Sequence, residues 1–333
     1  MSTVTLSLQA LHGLTKDILV THNTSETNAD QVAAALVAAE ADGQQGHGAS
    51  RIPSYAAQSK SGKVDGYATP ALAEVGRAAL RIDAGSGFAY PAINLAVEAL
   101  CELTPETGIA AAAIANSHHS GVAGHHVEPL ADKGLIGLSF GNCPQAIAPW
   151  GGNRAVFGTD PLAFAAPRRD HHPLVVDMSL SKVARGKINV AAHKGESIPE
   201  GWAIDQDGNP TTDAKAAMQG TMLPMGDAKG AQLVLMVEIL SAALSASHFG
   251  YEASSFFTGE GAPPNVGQLL VAIDPGPFSR NAFAERLEDL LQAILDQPDT
   301  RLPGARRFQL RTAAARDGVE LPQSLYDDLK SLQ

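Results

Sequence analysis

The sequence predicts an α/β protein, a mixed sheet with helices packed on it, entered through a mainly helical N-terminal region. Three observations predict it. Between Ala79 and Ile273 the chain carries short apolar runs bounded by turn residues, the mark of buried strands. From Val4 to Asp42 apolar positions recur at helical spacing instead. No strand is followed by a complete glycine-rich dinucleotide fingerprint, so no Rossmann signature is present.

In order, SETNADQVAAALVAAEAD offers Ser25 and Asn28 as caps and Val32, Leu36 and Ala39 on one helical face. GQQGHGASRIPSY (Gly43–Tyr55) breaks that helix with three glycines and a proline. Lys60–Tyr67 reads as a surface connection, Ala79–Asp83 as a strand, Asp83–Ala92 as a turn and Ile93–Leu103 as a helix. The turn's GSGFAY lacks the third fingerprint glycine. Ile109–Ala115, Leu135–Phe140, Ala155–Phe157, Leu162–Ala165 and Leu174–Val176 read as buried strands, with a helix within Val122–Lys133. Ala191–Gln219 is polar and rich in Gly, Pro and Asp, a long excursion over the surface. Ala231–Ser247 is a buried helix with Glu238 at its middle, too short to span a membrane. Leu269–Ile273 is a strand, Phe283–Leu295 an amphipathic helix with Leu287, Leu290, Leu291 and Ile294 on one face, and a last helix follows Pro322. The length of 333 residues exceeds a usual single core. The expected division is 1–75, helical; 76–270, the mixed sheet with its long loop; and 271–333, a strand and helices completing the fold.

A net charge of −11 argues against nucleic acid or an anionic membrane as partner, so any bound anion must be met by locally placed arginines. Cys101 and Cys143 are the only cysteines, which suits a reducing compartment, and the N-terminus has no secretory pattern. A cytoplasmic location is expected.

Unusual chemistry concentrates between Asn116 and Ser179. NSHHSGVAGHH brings His118, His119, His125 and His126, but with no HExxH motif, cysteine pair or third-ligand carboxylate, so no metal is expected. For any one of them taken alone, a hydrogen-bonded core or surface histidine is the better reading. His119 stands out because Ser120-Gly121-Val122 follows it at a predicted helix N-terminus, where backbone N–H groups can face a phosphate. His47 and Arg51 lie four residues apart, one turn if helical. Such a pair can clamp a carboxylate and exchange a proton beside it, though spacing alone equally suits a capping histidine beside a solvated arginine.

GHGASR, NSHHSG, NCPQAIAPWGG, GTDPLAFAAP, VVDMSLSKVARGKI, KGESIPEGWAID, DAKG and LPGARR, in this order, resemble the malate/L-lactate dehydrogenase family of the second type. The resemblance covers nearly the whole chain. It implies a homodimeric oxidoreductase using NADH or NADPH, with a non-Rossmann, mixed-sheet cofactor domain and a helical N-terminal domain. Family activities include reduction of oxaloacetate, pyruvate, sulfopyruvate and diketogulonate, oxidation of ureidoglycolate, and reduction of the cyclic imines pyrroline- and piperideine-2-carboxylate. The shared substrate feature is a carboxylate beside C=O, C=N or the reduced carbon.

By position, His47 resembles the family's proton donor and Arg51 its carboxylate clamp; His119 is expected to assist catalysis, by polarising the carbonyl or by packing against the nicotinamide. His119, Ser120, Gly121, Val122 and Ala123, with Asp177, Met178 and Ser179, look like cofactor-binding residues. Lys229, Gly230, Gly304, Ala305, Arg306 and Arg307 match further cofactor contacts, the two arginines being suited to a 2'-phosphate. Thr159, Arg185 and Gly186 match substrate contacts. The chain departs from the family pattern at three places: Gly46 where serine is common, Lys187 near an acidic position of the imine reductases, and Asp160 in GTDP where GTNP is usual. The expected reaction is hydride transfer to C2 of a small 2-oxo carboxylate. The runner-up is reduction of the cyclic imines; a zinc hydrolase and a silent cofactor-binding protein are the readings from other classes.

Overall fold

The structure, a computed structural model, describes residues 2–333. After β1 (Thr3–Leu6) come α1 (Leu8–Thr21), α2 (Glu26–Ala41) and α3 (Ile52–Ser61). Ser7 and Ser25 accept from the backbone N–H groups of Ala10 and Asn28 and so start α1 and α2. β2 (Ala71–Gly76), β3 (Ala79–Asp83), α4 (Ala89–Thr107), β4 (Ile109–Ser117), α5 (Gly124–Asp132), β5 (Ile136–Gly141), β6 (Leu162–Ala166) and β7 (Leu174–Met178) follow. A side layer holds α6 (Arg185–Lys194), β8 (Ala203–Ile204), β9 (Pro210–Thr211), α7 (Ala214–Gln219), β10 (Thr221–Met222) and α8 (Asp227–Glu238). β11 (Val266–Ile273), α9 (Pro275–Ser279), α10 (Phe283–Leu295), α11 (Ala305–Asp317), β12 (Val319–Pro322) and α12 (Gln323–Ser331) complete the chain.

Seven strands form one mixed sheet in the order β2-β3-β4-β11-β5-β6-β7. Only β3 and β4 run parallel, joined by the α4 crossover; every other neighbouring pair is antiparallel. β11 inserts between β4 and β5, so the β4-α5-β5 unit is split by a strand arriving from much later in the chain. That insertion is what separates this sheet from a doubly wound one. Four consecutive alanines (Ala110–Ala113) in central β4 let both faces be covered closely. On one face Ile82, Ile114 and Leu270 meet Ile93, Ala96 and Leu100 of α4. On the other, Phe140 and Leu269 meet Ile147, Val234, Val237 and the side layer.

The chain ends share a layer. β1 pairs antiparallel with β12, and Leu11, Ile18, Leu36, Ile52 and Tyr55 of α1–α3 pack with Ala314, Val319, Leu321 and Leu329. The N-terminal helices that carry His47 and Arg51 thus depend on the C-terminus for their core.

Some segments differ from their sequence reading. Ala191–Gln219 is built rather than a bare loop, since Ile198, Ala203, Ala214 and Ala217 bury singly into the side layer. Lys60–Tyr67 runs at the surface as expected but is anchored inward at its middle: Val64 is buried, and buried Lys63 donates through Nζ to the carbonyls of Ser255 and Thr258 at 2.6 and 2.9 Å. Ala155–Phe157 makes only a bridge to Ile147. The helix expected over Ala231–Ser247 is interrupted after Glu238 by a wider π turn, Ile239–Ala243, and resumes α geometry at 244–245.

Candidate active site

Two short tight-helical turns, Gln45–His47 and Ala49–Arg51, lead into α3. They hinge at Gly48, where a Cβ would lie 2.2 Å from Glu40 Oε2. Glu40 accepts from the Ala49 N–H at 2.8 Å, which pins the segment to α2. Arg51 Nε donates to the Gly46 carbonyl at 2.6 Å, and its guanidinium lies 4.5 Å from the centre of the Phe257 ring. The His47 and His119 rings stack at 5.2 Å and 17°. His47 Nδ1 and Arg51 NH1 are both buried and have no hydrogen-bond partner among the described residues. Burial, then the Arg51 charge and that of His125, hold the His47 pKa down at about 4, so the ring is neutral near pH 7.

Tyr55, one helical turn beyond Arg51, is fully buried with its hydroxyl 2.6 Å from His119 Nδ1 and 3.2 Å from the Tyr90 hydroxyl. Burial and Tyr90 raise the Tyr55 pKa well above the phenol value, so its proton is available to donate. Donation to Nδ1 puts the neutral imidazole's own hydrogen on Nε2. Burial, followed by the charge of Arg51, pushes the His119 pKa well below its ordinary value. Tyr55, Tyr90, Phe256 and Phe257 were not among the residues singled out from the sequence. The available signal was Tyr55's place four residues after Arg51.

The other histidines each turn a nitrogen to the protein. His118 Nε2 donates to Gln58 Oε1 at 3.1 Å, and His126 Nε2 to the Ser120 carbonyl at 2.7 Å. His125 Nε2 meets Asp42 Oδ2 at 2.7 Å. Burial alone would raise the Asp42 pKa, but hydrogen bonds from Arg311 and His125 bring it to about 2.

The remaining candidates gather around the start of α5. Gly121 has φ +68°, and a Cβ there would strike the Tyr90 hydroxyl at 2.5 Å, so the Ser120–Ala123 backbone passes where only glycine fits. Ser120 and Val122 line a groove of about 350 Å³ between α2, α4 and α5. Asp177 Oδ2 accepts from the Gly124 N–H at 2.9 Å, joining β7 to the first residue of α5. Gly304 (φ +80°) starts α11 against the Val175 carbonyl, so Gly304 and Ala305 stand beside β7 as well. Arg306 is exposed, whereas Arg307 turns inward, 7% exposed, to Glu128 and Asp42. Arg307 is thereby engaged inside the protein rather than offered to a phosphate. Met178 ends β7, and Ser179 donates to the Thr159 carbonyl at 3.4 Å. Lys229 is exposed and Gly230 packs on the Met225 carbonyl in the first turn of α8. Arg185, Gly186 and Lys187 open α6, all exposed, and no contact ties them to the His47 cluster among the described residues.

A malate/L-lactate dehydrogenase family model matches residues 6–330. The chain belongs to the malate/L-lactate dehydrogenase family. Within it, the chain is 52% identical over 303 residues to a (2R)-3-sulfolactate dehydrogenase (NADP(+)) of Chromohalobacter salexigens, covering 91% of this chain and 90% of that protein. It is 40% identical to a Delta(1)-pyrroline-2-carboxylate/Delta(1)-piperideine-2-carboxylate reductase of Pseudomonas putida, over 97% of this chain and 95% of that one. The crystal structure of delta1-piperideine-2-carboxylate reductase from Pseudomonas syringae superposes with a TM-score of 0.94 at 38% identity, over 99% of this chain and all of that chain, 100%. The family's mixed, non-Rossmann α/β architecture is the one built here around β11.

Proposed function

We propose that the protein is an NADPH- or NADH-dependent oxidoreductase that transfers a hydride to C2 of a small 2-oxo carboxylate of the sulfolactate, malate or lactate type. One observation carries this reading: His47 Nδ1 and Arg51 NH1 are buried, adjacent and unsatisfied. Orphaned buried donors are costly, and a carboxylate on Arg51 with its neighbouring carbonyl towards His47 relieves both. The glycine-only turn at Gly121 before α5 fits the phosphates of a dinucleotide. Asp177, Met178, Ser179, Lys229, Gly230, Gly304, Ala305 and Arg306 are its further candidate contacts, and Thr159, Arg185 and Gly186 those of the substrate.

The reduced nicotinamide, when bound, supplies the hydride. Arg51 fixes the carboxylate in a two-pronged clamp and so orients the reacting carbon. Neutralising the Arg51 charge removes one cause of the depressed His47 pKa, so substrate arrival itself raises the proton affinity of His47. His47 takes up a proton from solvent as its pKa rises and then delivers that proton to the developing alkoxide, returning to neutral imidazole as the hydroxyl forms. His119, held by Tyr55, aims its Nε2 hydrogen at the same oxygen and polarises it.

The 52% identity to a sulfolactate dehydrogenase supports the 2-oxo acid class. Reduction of pyrroline- or piperideine-2-carboxylate is the second reading, supported by relatives of that name at about 40% identity and below. The exposed apolar Leu235, Met236, Ile239 and Leu244 along α8 and its π turn support a homodimer. The unpaired Cys101 and Cys143 support a cytoplasmic location.

The test is consumption of NADPH and of NADH against sulfopyruvate, pyruvate, oxaloacetate and the two cyclic imines. In His47→Ala, turnover falls by about 10²–10⁴ while cofactor affinity is kept. Undiminished turnover would remove His47 from the reaction.

A further inference from the structure

Asp160, in the GTDP turn, is 0% exposed and pairs with no Lys, Arg or His among the described residues. Its Oδ1 accepts from the Cys143 N–H at 3.3 Å, while its Oδ2 is buried with no N–H or hydroxyl donor among the described residues. Its neighbour is Glu238, 3% exposed, at the end of α8. Glu238 Oε1 accepts from the Gly250 N–H at 2.7 Å and from Asn142 Nδ2 at 3.2 Å, and its Oε2 is likewise left without a donor. The two carboxyls are neighbours: the consecutive residues Asn142 and Cys143 hold one oxygen of each, and each keeps one buried oxygen without a donor. A bond between two carboxyls needs one proton, and two buried, uncompensated charges side by side would carry a large desolvation penalty.

We infer that Asp160 keeps its proton and donates it to Glu238, and that this shared proton fixes the turn carrying Thr159, a substrate contact in the function proposed above. The turn has no slack. A Cβ at Gly158 would lie 2.3 Å from the Cys143 carbonyl, and Asp160 sits at φ +32°, where Asp and Asn are favoured among side-chain-bearing residues. The Thr159 N–H donates to Cys143 Sγ at 3.2 Å, and its carbonyl accepts from the Leu180 N–H at 2.8 Å and from Ser179. Asn142 Oδ1 accepts from the Gly267 N–H at 2.9 Å. The pair therefore locks together the ends of β5 and α8, the start of β11 and the Thr159–Ser179 contact. An asparagine in place of Asp160, as in the family's usual GTNP, would supply a permanent N–H to Glu238; this chain supplies a proton that alkali can take.

The surrounding groups reinforce the neutral acid. Burial, then Glu238, raises the Asp160 pKa well above the carboxylate range, and Glu238 is itself raised by burial. Glu252 adds further negative charge, and burial with Asp160 pushes the Cys143 thiol to about 12, so it stays neutral. A carboxyl whose folded pKa lies above its unfolded value stabilises the fold at low pH, and that contribution is lost as pH rises through the folded pKa.

The test compares melting temperature between about pH 6 and about pH 10 for wild type, D160N and E238Q, each variant replacing the shared proton by a fixed amide donor. The wild type should lose melting temperature with rising pH more steeply than either variant. Its infrared spectrum should hold a protonated-carboxyl band near neutral pH that is absent from both. Parallel melting profiles, or no such band in the wild type, would overturn the inference; if D160N fails to fold, E238Q and the wild-type band still decide. The consequence for Thr159 rests on the function proposed above: KM for the 2-oxo acid should rise towards alkaline pH in the wild type, more than kcat changes, and D160N should remove that rise. Identical KM profiles would overturn the positioning role. Absence of any turnover would instead count against the proposed function and leave the melting and infrared results in force.

Discussion

Replacing Arg51 by lysine separates charge from geometry at the substrate site. Arg51 Nε is committed to the Gly46 carbonyl at 2.6 Å, which leaves the terminal nitrogens, including the orphaned NH1, to face a ligand. Two charge-assisted hydrogen bonds to a carboxylate contribute about 1.5–3 kcal/mol each. Lysine keeps the charge but offers a single point contact, so one such bond is lost. That corresponds to a fall in kcat/KM of roughly ten- to 150-fold, carried mainly by KM. Because the positive charge persists, the pH dependence assigned to His47 stays in place. Arg51→Met removes the charge as well, so in free enzyme the His47 pKa moves up from about 4 towards its ordinary 6.5. The assay is initial-rate reduction of a 2-oxo acid across pH, with KM and kcat resolved separately. An unchanged KM in Arg51→Lys would refute the clamp, and an unshifted pH profile in Arg51→Met would refute the electrostatic coupling to His47.

Tyr55→Phe leaves the packing against Phe88 but frees His119 Nδ1, and kcat should drop about tenfold with KM little altered; an unchanged kcat would show that the tautomer of His119 is immaterial. Burial holds His118 at about 3 and His126 at about 4, against an ordinary 6.5, so both are neutral in the fold and charged in an acidic unfolded chain. Stability should be complete above about pH 6.5 and decline as pH falls towards 4, where His118 alone accounts for on the order of 3 kcal/mol; a melting temperature flat from pH 7 to about pH 4 would contradict this. Arg307→Ala leaves Arg311 as the one arginine on both Glu128 and Asp42, so about one charged hydrogen bond, about 1.5–3 kcal/mol, should be lost in denaturant unfolding; a loss below about 0.5 kcal/mol would mean that Arg311 suffices.

The helix over Phe283–Leu295 was legible because its apolar stripe is sharp, and the strands at β4 and β5 because they are buried on both faces. β2 was not, since ALAEVG is exposed along its whole length and shows no alternation of burial. β1 and β12, four residues each, find one another from opposite ends of the chain, a pairing that no local pattern announces. At the site, His47, Arg51 and His119 carried visible chemistry. Tyr55 did not, because its partner His119 lies 64 residues away, and Gln58 reaches the Phe256 carbonyl across 198. Arg307 looked like a ligand to phosphate from its motif alone. Its inward turn follows from α11 packing where Asp42 and Glu128 are already buried.

The central claim is that His47 and Arg51 meet on a single small acid. A crystal structure of the enzyme with NADPH and oxamate, which has a carboxylate and an adjoining carbonyl but is not reduced, tests it most directly. The oxamate carboxylate should be forked on the terminal nitrogens of Arg51, with the carbonyl oxygen within hydrogen-bond reach of His47 and His119. Oxamate bound away from Arg51, or with its carbonyl turned from both histidines while NADPH is in place, would contradict it.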